Sequence, residues 1–201
     1  MRINRSACIV LTLVASMLAQ AQTAEIRPGE NLVVEGIPKI PASLAENVAR
    51  YGEFRSARRE MWHPVRREMI VSTRFGDTDQ LHLVKFPGGA RTQLTFPPER
   101  SQIGTYEPKR GSYFLYFKDA GGNERYQMYR YDVATKVNTL ITNGSSRNAA
   151  GAWSNSGEQF AYRSTKRTGK EMDIWVMNPA KPEIDRLLLQ AGGRRWAVRD
   201  W

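Results

Sequence analysis

Short apolar segments separated by turn residues dominate the chain after about residue 54. Residues 69–73, 113–117 and 160–164 show this most clearly, because they are rich in Tyr, Phe, Val, Ile and Thr, the residues enriched in strands. The pattern predicts strands near residues 68–73, 80–86, 112–118, 125–131, 159–164 and 172–177. Strand and helix patterns do not alternate, which argues against a parallel α/β sheet.

A different pattern precedes the strands. Residues 25–41 are rich in Pro and Gly and are expected to be extended. Ser43 and Glu46 then have the spacing of a capping box, in which the Glu46 side chain reaches back to the Ser43 amide. The apolar residues that follow recur at helical spacing: Leu44, Val48 and Tyr51. These positions predict one short amphipathic helix.

Three stretches of the strand region resemble one another. Each starts with an aromatic residue and a tight turn, at Trp62, Tyr106 and Trp153, and these starts are 44 and 47 residues apart. An apolar strand, a polar hairpin loop and a further strand follow in each stretch. A further 48 residues lead to Trp201, so residues 199–201 are interpreted as the opening of a fourth repeat.

A period of about 40–50 residues with four strands per repeat is typical of a β-propeller blade. The predicted fold is therefore all-β: a partial β-propeller of about three four-stranded antiparallel blades plus the start of a fourth, with one short N-terminal helix. The predicted blades cover residues 54–97, 98–144 and 145–191, and residues 192–201 start the next. An immunoglobulin-like sandwich is the structural alternative, but it does not predict this repeat. Because propellers close with about four to eight blades, the chain is expected to be the N-terminal portion of a longer protein; closure by self-association is the alternative.

The N-terminus is predicted to be an export signal. A basic start (residues 1–5) precedes an uncharged apolar run (residues 7–18), and Ala19 and Ala21 are small residues at the positions that a signal peptidase reads. Cleavage after residue 21 leaves a lead-in and helix over 22–53 and predicts a periplasmic or secreted protein without membrane attachment; a retained anchor is the alternative. It lowers the net charge from +10 to +8 and removes Cys8, the single cysteine. Disulfides and thiolate metal sites are then excluded.

The basic balance of the chain is typical of proteins that bind nucleic acid. Export argues against such a partner, and we expect none. The densest basic stretch, residues 55–67, is interrupted by Glu60 and followed by Glu68. It is interpreted as a solvated face, with an anion-binding surface as the alternative.

The lead-in and first two repeats resemble a known family. The residues that carry the resemblance are Ile37-Pro38, Arg55-Ser56-Ala57, Trp62-His63-Pro64, Ser72 to Thr78, Gln80-Leu81-His82, Pro87 to Phe96, and Gly121 to Glu124 with Gln127 and Tyr129. Together they are similar to the start of the propeller in exported bacterial peptidases of the prolyl oligopeptidase family, the dipeptidyl-aminopeptidase and acylaminoacyl-peptidase-like members. The blade motif alone is shared by many propellers, including the periplasmic one of the Tol system.

This resemblance implies a two-domain serine peptidase whose propeller restricts entry to small peptides. The catalytic Ser, Asp and His would all belong to a C-terminal α/β-hydrolase domain of the same polypeptide, so that domain and a peptide substrate are the expected partners. The present chain is expected to be inactive alone. The alternative function, of a different class, is a Tol-type periplasmic scaffold for protein–protein binding.

The residues themselves offer little catalytic chemistry. A hydrolase nucleophile lies on a G-x-S-x-G elbow, and the serines Ser154 and Ser156 have the wrong spacing for one. They are interpreted as turn residues, and no catalytic residue is predicted. His63 is placed in a turn, and His82 is interpreted as a packing residue, because it occupies the repeat position of Tyr129 and Trp175. No spacing of metal ligands or cofactor motif is visible, so no metal and no cofactor are expected.

One polar cluster stands out, at residues 121–124. Asn123 and Glu124 are candidate substrate-contact residues, because a carboxylate that projects into the tunnel or toward the hydrolase domain would bind a peptide amino terminus. The alternative is a plain hairpin loop, since Gly-Gly and Asn tolerate positive φ.

Overall fold

The computed structural model of the chain describes residues 24–52 and 54–200. These residues belong to two compact units, Met1–Phe54 and Arg55–Trp201. The predicted signal peptide, residues 1–21, lies outside the described residues and stays a prediction.

The described part of the first unit contains one helix. Before it, Glu25 and Pro41 form an isolated antiparallel bridge. The helix, α1, covers Ala42–Gly52, which confirms the predicted short helix. It begins two residues earlier than the capping box suggests, because the Leu44 amide donates to the Pro41 carbonyl oxygen (3.0 Å). Ser43 therefore lies in the first turn and does not precede it.

Three four-stranded antiparallel sheets make up the second unit, and each is a simple meander. Blade 1 contains β1 (Ala57–Trp62), β2 (Met69–Thr73), β3 (Gln80–Val84) and β4 (Arg91–Gln93). Blade 2 contains β5 (Gln102–Tyr106), β6 (Tyr113–Lys118), β7 (Gln127–Asp132) and β8 (Asn138–Leu140). Blade 3 contains β9 (Asn148–Trp153), β10 (Phe160–Ser164), β11 (Asp173–Asn178) and β12 (Lys181–Leu189).

The prediction of an all-β, partial propeller-like fold is confirmed. The six strands that the apolar pattern predicts correspond to the two central strands of each blade. The start of a fourth blade is predicted at residues 192–201, and of these the described residues 192–200 form neither helix nor strand.

Packing between blades explains the run of apolar residues in β6. Side chains of a strand alternate between the two faces of its sheet, and in β6 both faces are covered. Phe114 and Tyr116 join a core with blade 1 that includes Ile70 and Leu81. The other set joins a core with blade 3: Tyr113, Leu115, Phe117, Met128, Phe160, Tyr162 and Met177. The central blade is therefore apolar at every position of β6 from Tyr113 to Phe117.

Four aromatic residues of the repeats are expected from the sequence to form inter-blade core: Trp62, Tyr106, Trp153 and Trp175. Their surroundings differ. Tyr106 is buried, and Trp153 and Trp175 are partly buried against the core between blades 2 and 3. The Trp62 residue is 55% exposed. Trp62 pairs with Met69 and shares its face of the sheet. The next residue, Ile70, faces blade 2, and successive side chains of a strand point to opposite faces. Trp62 therefore lies on the face of blade 1 that is turned away from blade 2. Interpreting all four as inter-blade core is therefore wrong for Trp62.

The first strand of each blade contains a bulge at the same repeat position. The register shifts fall at Glu60, around Gly104 and around Gly151. A Cβ atom on Gly151 would overlap the Ala161 carbonyl oxygen, and one on Gly104 would overlap the carbonyl oxygen of Leu115. Blades 2 and 3 thus need glycine at the bulge because the second strand passes so close to it.

A side chain caps the turn between the first two strands of every blade. The His63 Nδ1 atom accepts the amides of Val65 (3.1 Å) and Arg66 (3.0 Å). At the equivalent place in blade 2, the Glu107 carboxylate accepts two amides of its own turn, and Ser154 Oγ accepts one in blade 3. Three different residue types perform the same local task, which is why the repeat is weak in sequence here.

A buried polar network closes each blade, and a buried network of this kind must be fully hydrogen-bonded to be stable. In blade 2, Gln127 donates to the carbonyl oxygens of Arg125 (2.9 Å) and Ser146 (2.6 Å) and accepts from Thr142 Oγ1 (2.8 Å). Gln80 has the same role in blade 1, where it accepts from Thr95 Oγ1 (2.8 Å). We call these groups the closing networks.

Blade 3 has Asp173 at the repeat position of Gln80 and Gln127. Its carboxylate accepts from Arg167 Nε (2.6 Å) and from the Ala191 amide (2.7 Å). The hydrogen bond from Arg167, together with that charge, holds the pKa of Asp173 below its ordinary value. The buried Asp173 carboxylate is therefore ionised, and the adjacent Arg167 guanidinium balances its negative charge.

Candidate functional site

A cavity of about 410 Å³ lies where blades 2 and 3 present their loops at one end of the strands. The β6–β7 loop (119–126), the β8–β9 link (141–147) and the β10–β11 loop (165–172) form its walls. We call it the basic cavity, after four of its lining residues: Arg125, Arg147, Lys166 and Lys170.

Both sequence-predicted contact residues line this cavity. The Glu124 residue has a positive φ of 56°, and its amide donates to the Asp119 carboxylate (3.0 Å). Asn123 Oδ1 accepts the Arg125 amide (2.9 Å). These bonds hold the hairpin loop in one conformation, so the hairpin alternative and a contact role for these residues are compatible. The contact role itself stays a prediction.

Buried hydroxyl groups form a fixed floor. Ser146 and Thr165 are buried, and each is held by hydrogen bonds. Ser146 Oγ donates to Asn143 Oδ1 (2.6 Å), and Thr165 Oγ1 accepts the Arg147 amide (3.0 Å). The Thr165 amide in turn donates to the Arg147 carbonyl oxygen (3.0 Å). The link between blades 2 and 3 is thereby tied to the β10–β11 loop.

Positive charge exceeds negative charge around the cavity. Arg147 pairs with Glu124 at 3.7 Å, and both side chains are mostly exposed. Lys166 pairs with Asp185 and lies 3.7 Å above the Trp175 ring. Over the part of the chain that the structure describes, Arg125 and Lys170 form no ion pair. The arrangement attracts an anionic group, and it weakens the attraction of Glu124 for a peptide amino terminus.

A second cavity, of about 340 Å³, lies between blades 1 and 2 at the opposite end of the strands. We call it the aromatic pocket, because buried rings of blade 2 line it: Tyr106, Phe114 and Tyr131. Leu83 and Leu94 of blade 1 face these rings, and charged residues form its rim. Burial raises the pKa of Tyr106 to about 12, so its phenol is neutral in the physiological range.

The remaining sequence candidates have local structural contacts. Ser154 and Ser156 lie in the β9–β10 turn with their Oγ atoms 3.0 Å apart. His82 is buried, with Nδ1 3.0 Å from the Gln80 carbonyl oxygen and its ring 5.2 Å from Phe75. Burial lowers the pKa of His82. Neither serine and neither histidine lines the basic cavity.

Two further features concern metals and membranes. Within residues 24–52 and 54–200, no group of three or more His, Cys, Asp or Glu side chains is placed to hold a metal ion. Within the same residues, no helix has the length and apolar character needed to cross a membrane.

Comparisons with known proteins give a fold but no family. No protein-family model matches the chain, and no curated protein matches it in sequence. Among solved structures, a putative TolB from Agrobacterium tumefaciens matches with a TM-score of 0.52 and 19% identity, over 65% of this chain and 45% of that one. An oligogalacturonate lyase in complex with manganese matches with a TM-score of 0.50 and 14% identity, over 65% of this chain and 39% of that one. The shared fold is the β-propeller.

The chain thus spans less than half the length of these structural neighbours. At such low identity the likeness extends to the fold and not to an activity. These comparisons do not confirm the resemblance to serine peptidases, which stays a prediction.

The basic cavity itself was not predicted from the sequence. Its cations come from two hairpin loops and a link, spread over positions 125 to 170, and none of them lies in the basic stretch 55–67. The repeat offers one signal that could have found it. Arg125 precedes the third strand of blade 2 by two residues, and Lys170 precedes the third strand of blade 3 by three. Adjacent blades place such positions side by side.

Proposed function

We propose that this chain is a ligand-binding segment of an exported β-propeller, and that the basic cavity holds an acidic segment of a partner protein. The observation that carries the proposal is the convergence of Arg125, Arg147 and Lys170 from three separate loops around a hydrogen-bonded floor. The binding role requires no catalytic group in the chain.

Charge is the main source of attraction at such a site. Two unit charges 4 Å apart attract by about 4 kcal/mol at the effective dielectric constant of a protein surface. An exposed pair retains about 1 kcal/mol or less, because solvent and salt screen it. Several carboxylates on one flexible segment are therefore needed to occupy the cavity, and binding should weaken as salt is added.

Arginine and lysine make different contributions. Arg125 and Arg147 present planar guanidinium groups, which bind carboxylates through two parallel hydrogen bonds, whereas Lys170 acts as a point charge. Because Glu124 already pairs with Arg147 at 3.7 Å, an incoming carboxylate competes with Glu124 for that arginine. Replacing Glu124 by Gln should therefore strengthen anion binding.

The test uses the full chain and a fluorescently labelled hexaglutamate peptide, with binding followed by anisotropy. The double variant Arg125→Glu/Lys170→Glu should weaken binding by at least about tenfold, whereas Glu124→Gln should tighten it. The matched control is Arg110→Glu/Lys181→Glu, which makes the same charge change at the opposite end of blades 2 and 3. Equal loss in both double variants would show that only net charge matters and would overturn the proposal.

Oligogalacturonate, the polymer after which the second structural neighbour is named, provides a contrasting polyanion. It also carries many carboxylates, but on a sugar chain. Binding of the hexaglutamate peptide with little competition from oligogalacturonate supports a protein partner. Preferential binding of oligogalacturonate would contradict that part of the proposal.

The finer hypothesis is that this propeller segment gates an exported serine peptidase. Its support is the resemblance of the lead-in and the first two blades, together with the position of Asn123 and Glu124 on the wall of a cavity. The partners would then be a hydrolase domain of the same polypeptide and a peptide substrate, in the periplasm or outside the cell. Reading the gene beyond codon 201 tests this hypothesis. A G-x-S-x-G elbow downstream supports it, and termination after further blades favours the scaffold.

A further inference from the structure

The aromatic pocket lies at the junction of blades 1 and 2, the first of two equivalent blade junctions. Its floor is formed by Tyr106, Phe114 and Tyr131, which are at most 5% exposed in the assembled blades. Its volume of about 340 Å³ falls in the range of ligand pockets, about 300–1,000 Å³. A comparison of the two junctions shows why the space is open.

One residue of the third strand differs between the junctions. In blade 1, Val71 pairs with His82, and Leu83 comes next; in blade 2, Tyr116 pairs with Tyr129, and Arg130 comes next. Leu83 and Arg130 therefore occupy the same repeat position and face the following blade. The Arg130 guanidinium lies 5.1 Å from the Tyr113 ring centroid and donates to the Pro179 carbonyl oxygen of blade 3 (3.3 Å).

Arg130 thus crosses the second junction, whereas Leu83 leaves the first one open. Leucine is shorter and carries no polar head that could reach the neighbouring blade. The nearly buried aromatic rings of blade 2 consequently form the floor of the space that remains there. We attribute the open space of the pocket to this difference between Leu83 and Arg130 at one repeat position.

The rim of the pocket is cationic. Arg66 pairs with Glu68 at 3.1 Å, and these two charges offset each other. Lys85 and Lys136 also line the pocket, and neither forms an ion pair in the part of the chain that is described. An aromatic floor below two uncompensated ammonium groups is complementary to an aromatic group that carries acidic neighbours.

We propose that the aromatic pocket binds an aromatic side chain flanked by acidic residues in a peptide segment of a partner protein. The ring contacts the buried rings of blade 2, and the flanking carboxylates meet Lys85 and Lys136. This site lies at the other end of the blades from the basic cavity and shares no residue with it. The proposal therefore stands or falls independently of the function proposed above.

Three blocked tripeptides provide the test, with binding to the full chain followed by NMR chemical-shift changes. The first, acetyl-Glu-Trp-Glu-amide, should shift the resonances of Tyr106 and Tyr131. The second replaces both glutamates by glutamine and should bind several-fold more weakly. Added salt should remove this difference in affinity between the two peptides, because it screens the charges. The third replaces tryptophan by alanine and should not bind detectably, because the ring contributes most of the buried area.

The decisive variant copies the second junction into the first. Leu83→Arg should close the pocket and weaken binding of the tryptophan peptide by at least about tenfold, while Leu83→Met, which conserves volume, should retain binding. Thr92→Tyr fills the pocket from an exposed position of β4 and serves if Leu83→Arg fails to fold. Unchanged binding in folded Leu83→Arg or Thr92→Tyr would overturn the proposal, as would tryptophan-peptide shifts confined to other residues.

Discussion

Replacement of Gly151, the bulge glycine of β9, by alanine should destabilise the protein more than a Gly→Ala change at any position outside the bulges. An added Cβ would overlap the Ala161 carbonyl oxygen and would lie 2.6 Å from the Ala161 carbonyl carbon and 2.9 Å from Tyr162 Cα. Because ordinary contact between non-bonded carbon atoms is at about 3.5–4.0 Å, and the carbonyl oxygen is nearer still, β9 and β10 would have to separate by at least about 1 Å. Backbone cannot move aside as a flexible side chain does.

The cost follows from what that separation disrupts. Overpacking a core costs about 1–3 kcal/mol and occasionally more, and here the strand that pairs with Gly151's strand carries Phe160 and Tyr162, two members of the core between blades 2 and 3. We expect a loss of about 3 kcal/mol or more in the free energy of unfolding. For a chain of this size, each kcal/mol lowers Tm by about 2–4 °C, so Tm should fall by about 6–12 °C.

The assay is thermal unfolding of the full chain followed by circular dichroism. Gly104→Ala should act in the same direction, since its Cβ would overlap the Leu115 carbonyl oxygen. Gly76→Ala is the matched control, because no atom lies within 4 Å of its added Cβ, and it should change stability by less than about 0.5 kcal/mol. If Gly151→Ala unfolds at the temperature of Gly76→Ala, the bulge is not a steric requirement and the reasoning is wrong.

Three other predictions concern pH, the closing network and activity. Burial, and then the charge of Arg66, lower the pKa of His63 from 6.5. The contribution of neutral His63 to stability is therefore complete above pH 6.5 and is lost as the pH falls below that value. His63→Asn keeps an acceptor for the turn amides and should flatten the dependence of the urea midpoint on pH, and an unchanged slope would contradict this. Gln127→Leu should cost about 3 kcal/mol or more in urea unfolding, because it removes the hydrogen bonds of the Gln127 amide with the Ser146 carbonyl oxygen, Thr142 Oγ1 and the Gly144 amide. A loss below about 1 kcal/mol would show that water replaces the amide. The full chain should hydrolyse no peptide substrate in a fluorogenic assay, and turnover abolished by Ser154→Ala or Ser156→Ala would refute the assignment of these serines to a turn.

Periodicity was sufficient to predict the central strands of the blades. β6 and β10 are apolar because neighbouring blades cover them, and such runs are visible in one sequence. The outer strands β4 and β8 contain only three residues each, and β8 is exposed throughout. Their existence follows from hydrogen bonding to the adjacent strand, which leaves little trace in hydrophobicity.

The two cavities were not predicted from the sequence, for a different reason. Each is formed by residues of adjacent blades, so its lining depends on which repeat positions face each other across a junction. The sequence shows that Leu83 and Arg130 occupy the same repeat position. Only the structure shows that Arg130 reaches Pro179 of the next blade and that Leu83 makes no such contact. Asn123 and Glu124 were found because turn chemistry is local.

The closing networks bear on how a chain of this kind can gain or lose a blade during evolution. Gln80 of blade 1 accepts a hydrogen bond from Ser101 (3.1 Å), and Gln127 of blade 2 accepts one from Asn148 (3.3 Å), although both donors lie at the start of the next blade. A duplication that copies one sheet from first to last strand would divide such a network at both ends. A duplication whose ends fall in the turns after Trp62 and Tyr106 copies a complete network. The heritable module is therefore offset from the visible sheet by one strand, and it coincides with the spacing of the aromatic residues along the chain.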